Sequence, residues 1–172
     1  MTLQEKIDYI LKDGLGEFVK FTNTDDFPQL SESLRTLLKE VGIYSYSKGY
    51  PHLLTDGKLV QFDKNLIQFG KFKILDYPFC IDSANKERIV GFNLDDKNIR
   101  IINSSMEKYI ECLYITYYFS EEYELKEKFG AYYKNRKKYA KELLKMYQTI
   151  EPKAMDYPTW GGLIEEMESG VL

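Results

Sequence analysis

Ile99-Arg100-Ile101-Ile102-Asn103-Ser104-Ser105-Met106-Glu107-Lys108-Tyr109-Ile110-Glu111-Cys112-Leu113 changes its hydrophobic period halfway along. Ile99 to Ile102 is a short β-branched run of the kind that forms a strand. Beyond Asn103 the apolar residues Met106, Tyr109, Ile110, Leu113 and Tyr117 recur at helical spacing, and Ser104 with Glu107 gives the S-x-x-E pattern of a capping box. A strand therefore hands the chain directly to a helix, and this junction divides the sequence into a strand-rich middle and a helical C-terminal part.

Working upstream, Ile43 to Ile102 consists of short apolar runs separated by turn residues, as an antiparallel sheet requires. Leu59 to Phe62, Leu66 to Phe69, Phe79 to Ile81, Ile89 to Leu94 and Ile99 to Ile102 read as strands. Thr55-Asp56-Gly57-Lys58 and Asp95-Asp96-Lys97-Asn98 read as turns, the second as a polar hairpin connection. Before the sheet, Leu3, Ile7, Ile10 and Leu11 predict an amphipathic helix ending near Gly14. Leu34, Leu37, Leu38 and Val41 predict another, capped by Ser31 or Ser33 and stopped by Gly42. Downstream, a helical pattern runs from about Glu121 through Tyr147, with a possible interruption at Gly130, and Pro152 ends it. A last helix starts at Pro158 and carries Trp160, Leu163, Ile164 and Met167 before Gly170. Helices, then strands, then helices predict an α+β fold: a central antiparallel sheet of about five to six strands flanked by N-terminal and C-terminal helices.

The 172 residues suit a single domain, 1–172, and 44% hydrophobic against 30% charged residues is enough apolar material for a core. The polar residues Gln4, Glu5, Lys6 and Asp8 interrupt any signal-peptide pattern, and no run approaches the length of a membrane span. Cys80 and Cys112 lie far apart without metal-type spacing, which suits a reducing compartment and predicts a cytoplasmic protein.

The search for catalytic chemistry yields little. The single histidine, His52, lies in the loop Gly49-Tyr50-Pro51-His52 with no nucleophile context beside it. One His and two scattered Cys cannot supply a zinc set, Asp95-Asp96 lacks the rest of a calcium loop, and Gly14-Leu15-Gly16 reads as a helix stop rather than a dinucleotide fingerprint. Glu121-Glu122 and Glu165-Glu166 read as solvated helix residues. The expectation is a protein that is no enzyme, with no catalytic residue, cofactor or metal. Lys134, Lys138, Lys141 and Lys145 form a stripe on one helix face. A solvated outer face is the commoner use of such a pattern, and with a net charge of −3 nucleic acid is not the expected partner; a nucleic-acid-binding protein that uses this stripe and the nearby tyrosines is the less favoured alternative. Fifteen tyrosines exceed the needs of a core this size and favour an interaction surface. Tyr44, Tyr46 and Tyr50, read as lying in a loop ahead of the sheet, are its candidates.

The segment Ile89-Val90-Gly91-Phe92-Asn93-Leu94, followed by the strand-to-helix junction quoted above, resembles the SUKH superfamily, especially its fourth immunity-protein subfamily. There a strand delivers an N-S-S cap into a helix reading S-x-x-x-[FY]-x-x-x-L, here Ser105, Tyr109 and Leu113. Phe69-Gly70 and Phe79-Cys80-Ile81-Asp82 look like that group's paired central strands, while Asp156, Trp160, Glu165 and Gly170 resemble its closing helix. The resemblance covers about Leu66 to the C-terminus. It implies an immunity protein, or antitoxin, whose partner is a cognate bacterial toxin domain such as a nuclease or deaminase. Fungal relatives of the superfamily imply an alternative, an intracellular regulatory scaffold. The residues expected to bind the partner are Tyr44, Tyr46, Tyr50, Asp95 and Asp96, the two carboxylates facing the basic groove of a nuclease.

Overall fold

The computed structural model describes residues 1–12, 16–46, 53–72, 77–124 and 129–171. Apolar periodicity places the helices where the sequence predicts them. Ile7 and Ile10 form the buried stripe of α1 (Leu3–Leu11), and Leu34 and Leu38 that of α2 (Glu32–Glu40). Ser31 caps α2 by accepting from the Leu34 N–H at 3.3 Å. Gly42, at φ +84°, stops it in a conformation that a Cβ would strain. α3 spans Met106–Phe119. The single long helix expected from Glu121 is instead divided into a π turn, Ser120–Glu124, and α4, Phe129–Ile150, so that Gly130 falls in the first turn of α4. α5, Pro158–Ser169, follows Pro152 and buries Trp160, Leu163, Ile164 and Met167.

Eight strands are present among the described residues: β1 (Gly16–Val19), β2 (Ile43–Tyr46), β3 (Leu53–Leu54), β4 (Val60–Asp63), β5 (Leu66–Phe72), β6 (Pro78–Asp82), β7 (Arg88–Phe92) and β8 (Ile99–Asn103). The fold is α+β, with a six-stranded antiparallel sheet in the order β3-β5-β6-β7-β8, in which β4 also pairs with β5, and a separate two-stranded sheet, β1-β2. β5 and β6 are neighbours, with Gly70 opposite Phe79.

The chain forms two compact units, Leu11–Met106 and Met1–Ile10 with Glu107–Leu172. In the first, Ile67, Ile81 and Ile89 lie opposite one another across β5, β6 and β7 and are fully buried. In the second, the Trp160 ring lies 5.0 Å from Tyr147 and 6.3 Å from Tyr109, and Tyr132 stacks on Tyr139 at 5.5 Å. Lys6 pairs with Glu111 at 3.0 Å, and the Tyr9 hydroxyl donates to Glu121 at 2.6 Å, which ties α1 to α3 and the π turn. Burial and the Glu121 carboxylate both hold the Tyr9 phenol well above its ordinary value.

These packings place many of the tyrosines in the core, Tyr44 among them. Tyr44, Tyr109, Tyr132, Tyr139, Tyr147 and Tyr157 are buried, and among the described residues Tyr133 alone is exposed. The physical reason is that a tyrosine can place its ring in a core while its hydroxyl finds a polar partner, as Tyr147 does with Thr116 at 2.8 Å.

Candidate protein-docking face

Directly opposed residues in a sheet share one face, and the register runs Val60–Gln68–Cys80–Val90–Ile101 from β4 to β8. Phe92 and Ile99 are opposed two residues further along β7 and β8, on the same side. Leu66, Cys80 and Val90 form a small buried cluster on this face. Half-buried Phe62 and Phe92 pack on it, their rings meeting edge to face at 5.1 Å. Arg88 forms an ion pair with Asp82 at 2.8 Å, and Asn85 donates to the same carboxylate at 2.9 Å.

The face is only partly covered. Val60 is 54% exposed and Ile99 44%, and Leu94, in the turn after Phe92, is 47% exposed. Among the described residues of Leu11–Met106, Leu11 is the only other large apolar side chain so exposed. Isolated exposed apolar side chains are ordinary, but Ile99 lies directly opposite half-buried Phe92 and Leu94 follows it two residues on, so exposed apolar groups adjoin an aromatic ring, the kind of surface that receives a partner. β3 and β4 both pair with one edge of β5, at Lys71–Phe72 and at Leu66–Gln68. The interruption leaves a groove of about 500 Å³ beside Val60, walled by Leu54, Thr55, Lys58, Gln68 and Lys71.

The turn from β7 to β8 adds charge at the end of the patch. The Asn93 side-chain carbonyl accepts from the backbone N–H groups of Asp95 at 2.9 Å and Asp96 at 3.4 Å, and Lys97 adopts φ +56°. Asp96 is engaged inside the turn: it accepts from the Asn98 N–H at 2.9 Å and from Arg100 at 3.2 Å. The Asn98 N–H and the Arg100 guanidinium hold its carboxyl below the ordinary carboxylate value. Asp95 is exposed, and no hydrogen bond or ion pair engages its carboxylate among the described residues.

The residues singled out in the sequence are thus divided. Asp95 and Asp96 stand at an exposed turn, as expected. Tyr44 does not lie in a loop: it is in β2, only 2% exposed, with its ring 5.4 Å from Phe18. Gly16, read as part of a helix stop, instead begins β1, where a Cβ would sit 2.8 Å from the Tyr44 ring, so its lack of a side chain lets β1 close over that tyrosine. Tyr46 is also strand rather than loop, paired with Gly16. Tyr50 and His52 lie outside the described residues.

Sequence reasoning missed Val60, Phe62, Phe92 and Ile99. The available signal was the run Ile89-Val90-Gly91-Phe92: a strand with one face in water alternates with polar residues, and this one does not. Among the described residues no three His, Cys, Asp or Glu side chains gather to hold a metal, and no helix is long and apolar enough to cross a membrane. No family model, curated protein or solved structure matches the chain.

Proposed function

We propose that this protein is an immunity protein that binds and neutralises a cognate bacterial toxin domain, a nuclease or deaminase, in the cytoplasm. The observation that carries the reading is the joining of a partly exposed apolar sheet face to an exposed carboxylate turn. Aromatic and aliphatic side chains supply the desolvated centre of a protein interface, and unpaired charge at its rim selects the partner and speeds encounter. The ordered resemblance from Leu66 onward supports the same conclusion. Asp95 then faces the cationic substrate groove of the toxin, while Val60, Phe92 and Ile99 take an apolar projection from it. Neutralisation by occupation asks no bond-making chemistry of this chain.

The test uses the toxin-like domain encoded by a neighbouring gene. Co-expression restores growth, and the purified proteins form a one-to-one complex that abolishes toxin activity. Val60→Glu and Ile99→Glu, each a surface change, weaken the complex at least about 30-fold, the loss of one interface anchor worth about 2 kcal/mol. Absence of both complex and rescue overturns the function. A complex that forms unchanged with both variants overturns the assignment of the face.

A further inference from the structure

We propose that the lysine face of α4 is a docking surface for the phosphate backbone of duplex nucleic acid, an activity separate from toxin neutralisation and carried by different residues. Lys134, Lys138, Lys141 and Lys145 recur at intervals of four, three and four residues, with Lys137 beside them, and all five are exposed. They extend over about 16 Å of helix axis. The opposite side of α4 buries Tyr132, Tyr139, Ala140, Leu143 and Tyr147, which fixes the direction in which the lysines point.

A helix face that serves only solubility mixes signs, because acid–base pairs three or four residues apart stabilise the helix and like pairs destabilise it. α4 does the opposite. Its 22 residues contain a single acid, Glu142, which lies 3.9 Å from Lys138. Lys134, Lys137, Lys141 and Lys145 have no ion pair among the described residues. Such a row repels itself and is relieved by a bound polyanion.

The composition of the face selects among polyanions. Only Gly130 and Gln148 share the arc with the five lysines, with Ala131 and Thr149 at its margin, so the apolar centre of a protein interface is missing, and lysine is depleted at such centres. Base stacking on a single strand needs a free aromatic ring. The exposed tyrosine of the helix, Tyr133, lies to the side and is covered by the Arg136 guanidinium at 4.4 Å. Lysines alone, evenly spaced on a rigid axis, suit a duplex, whose backbone carries one charge per ~1.7 Å. The net charge of −3 is that of the whole chain, and the surplus of acid lies outside α4.

The experiment is fluorescence anisotropy of the full chain with a labelled 20-base-pair DNA duplex across a salt series. Binding is expected in the micromolar range at the lowest salt, insensitive to base sequence, with log K falling against log salt at a slope of about −4, as four to five neutralised phosphates require. Lys138→Gln combined with Lys141→Gln reduces the steepness by about 2 and weakens binding at least tenfold with an unchanged thermal melt. The control pair Lys64→Gln with Lys97→Gln, also exposed lysines, leaves the slope as it was. No binding at low salt, a salt-independent affinity, or equal binding by the α4 double variant overturns the proposal. So does competition by poly-glutamate as effective as by unlabelled duplex, which assigns the face to an acidic polypeptide.

Discussion

The sheet face of Leu11–Met106, partly covered, and the outer face of α4 both present side chains to water, and each gains from a partner for the opposite reason. On the first, Phe62 and Phe92 half-cover a small apolar cluster and Val60 and Ile99 are exposed, and such apolar surface gains when water is removed from it. The α4 lysines form a surface that repels itself and gains when charge is brought to it. The first rewards a shaped, dry partner and depends weakly on salt. The second rewards any regular polyanion and depends steeply on salt. The two proposed kinds of recognition can therefore be separated by ionic strength alone.

The largest expected effect lies under the sheet face. Phe92→Ala removes half of the aromatic cover over Leu66, Cys80 and Val90. A fully buried phenylalanine loses ~3–5 kcal/mol on truncation, and because Phe92 is half-buried about 2 kcal/mol is expected from denaturant unfolding. Equal stability of variant and parent would show that the two rings do not seal the cluster. Cys80 reports the same event chemically. Burial pushes its thiol up to about 12 from an ordinary 9.0, so alkylation at pH 8, followed by peptide mapping, is slow in the parent and faster in Phe92→Ala. The sign for stability follows: the unfolded thiol ionises first, so this contribution is intact below about pH 9 and is lost as pH rises towards 12.

The contrast between the two faces is also a contrast in what a sequence exposes to reading. The lysine stripe lies within twelve consecutive residues, and helical periodicity alone puts it on one face. α1, α2 and α5 were legible for the same reason, each having a local stripe and, in α2 and α5, local stops. The strands from β5 to β8 were legible as runs between turns. The apolar face was not, because Val60, Phe92 and Ile99 come from three strands and meet only through register. β1 and β2 escaped notice because each is four residues long and they pair with each other across the intervening α2. That pairing also turns Tyr44 from candidate contact to core, which its hydroxyl and loop-like neighbours concealed.

A smaller effect sharpens the reading of α4. Lys141 has lysines at i−4, i−3 and i+4, so Lys141→Glu converts three repulsions into attractions of ~0.2–0.5 kcal/mol each. The expected gain is about 1 kcal/mol, or a rise of roughly 2–4 °C in Tm by calorimetry. A variant that is more stable yet no longer binds duplex would show that the lysine row is kept at a cost to stability, as functional surfaces often are. A drop in stability would mean that Lys141 packs its stem on the helix and that the row is structural.

The smallest effects separate the two carboxylates of the β7–β8 turn. Asp96 is held by the Asn98 N–H and by Arg100. Its depressed carboxyl contributes stability at neutral pH that disappears as pH falls through its folded value, so the difference between the parent and Asp96→Ala narrows to nothing in acid. Among the described residues nothing engages the Asp95 carboxylate, so Asp95→Asn is expected to leave unfolding at neutral pH unchanged. It should slow association with the toxin a few-fold at low salt, with little change in dissociation, because an exposed rim charge steers encounter more than it holds the complex. Association measured by stopped flow at two salt concentrations decides the matter. An unaltered rate in Asp95→Asn would make the turn a scaffold for Leu94 and Ile99, leaving recognition to the apolar face.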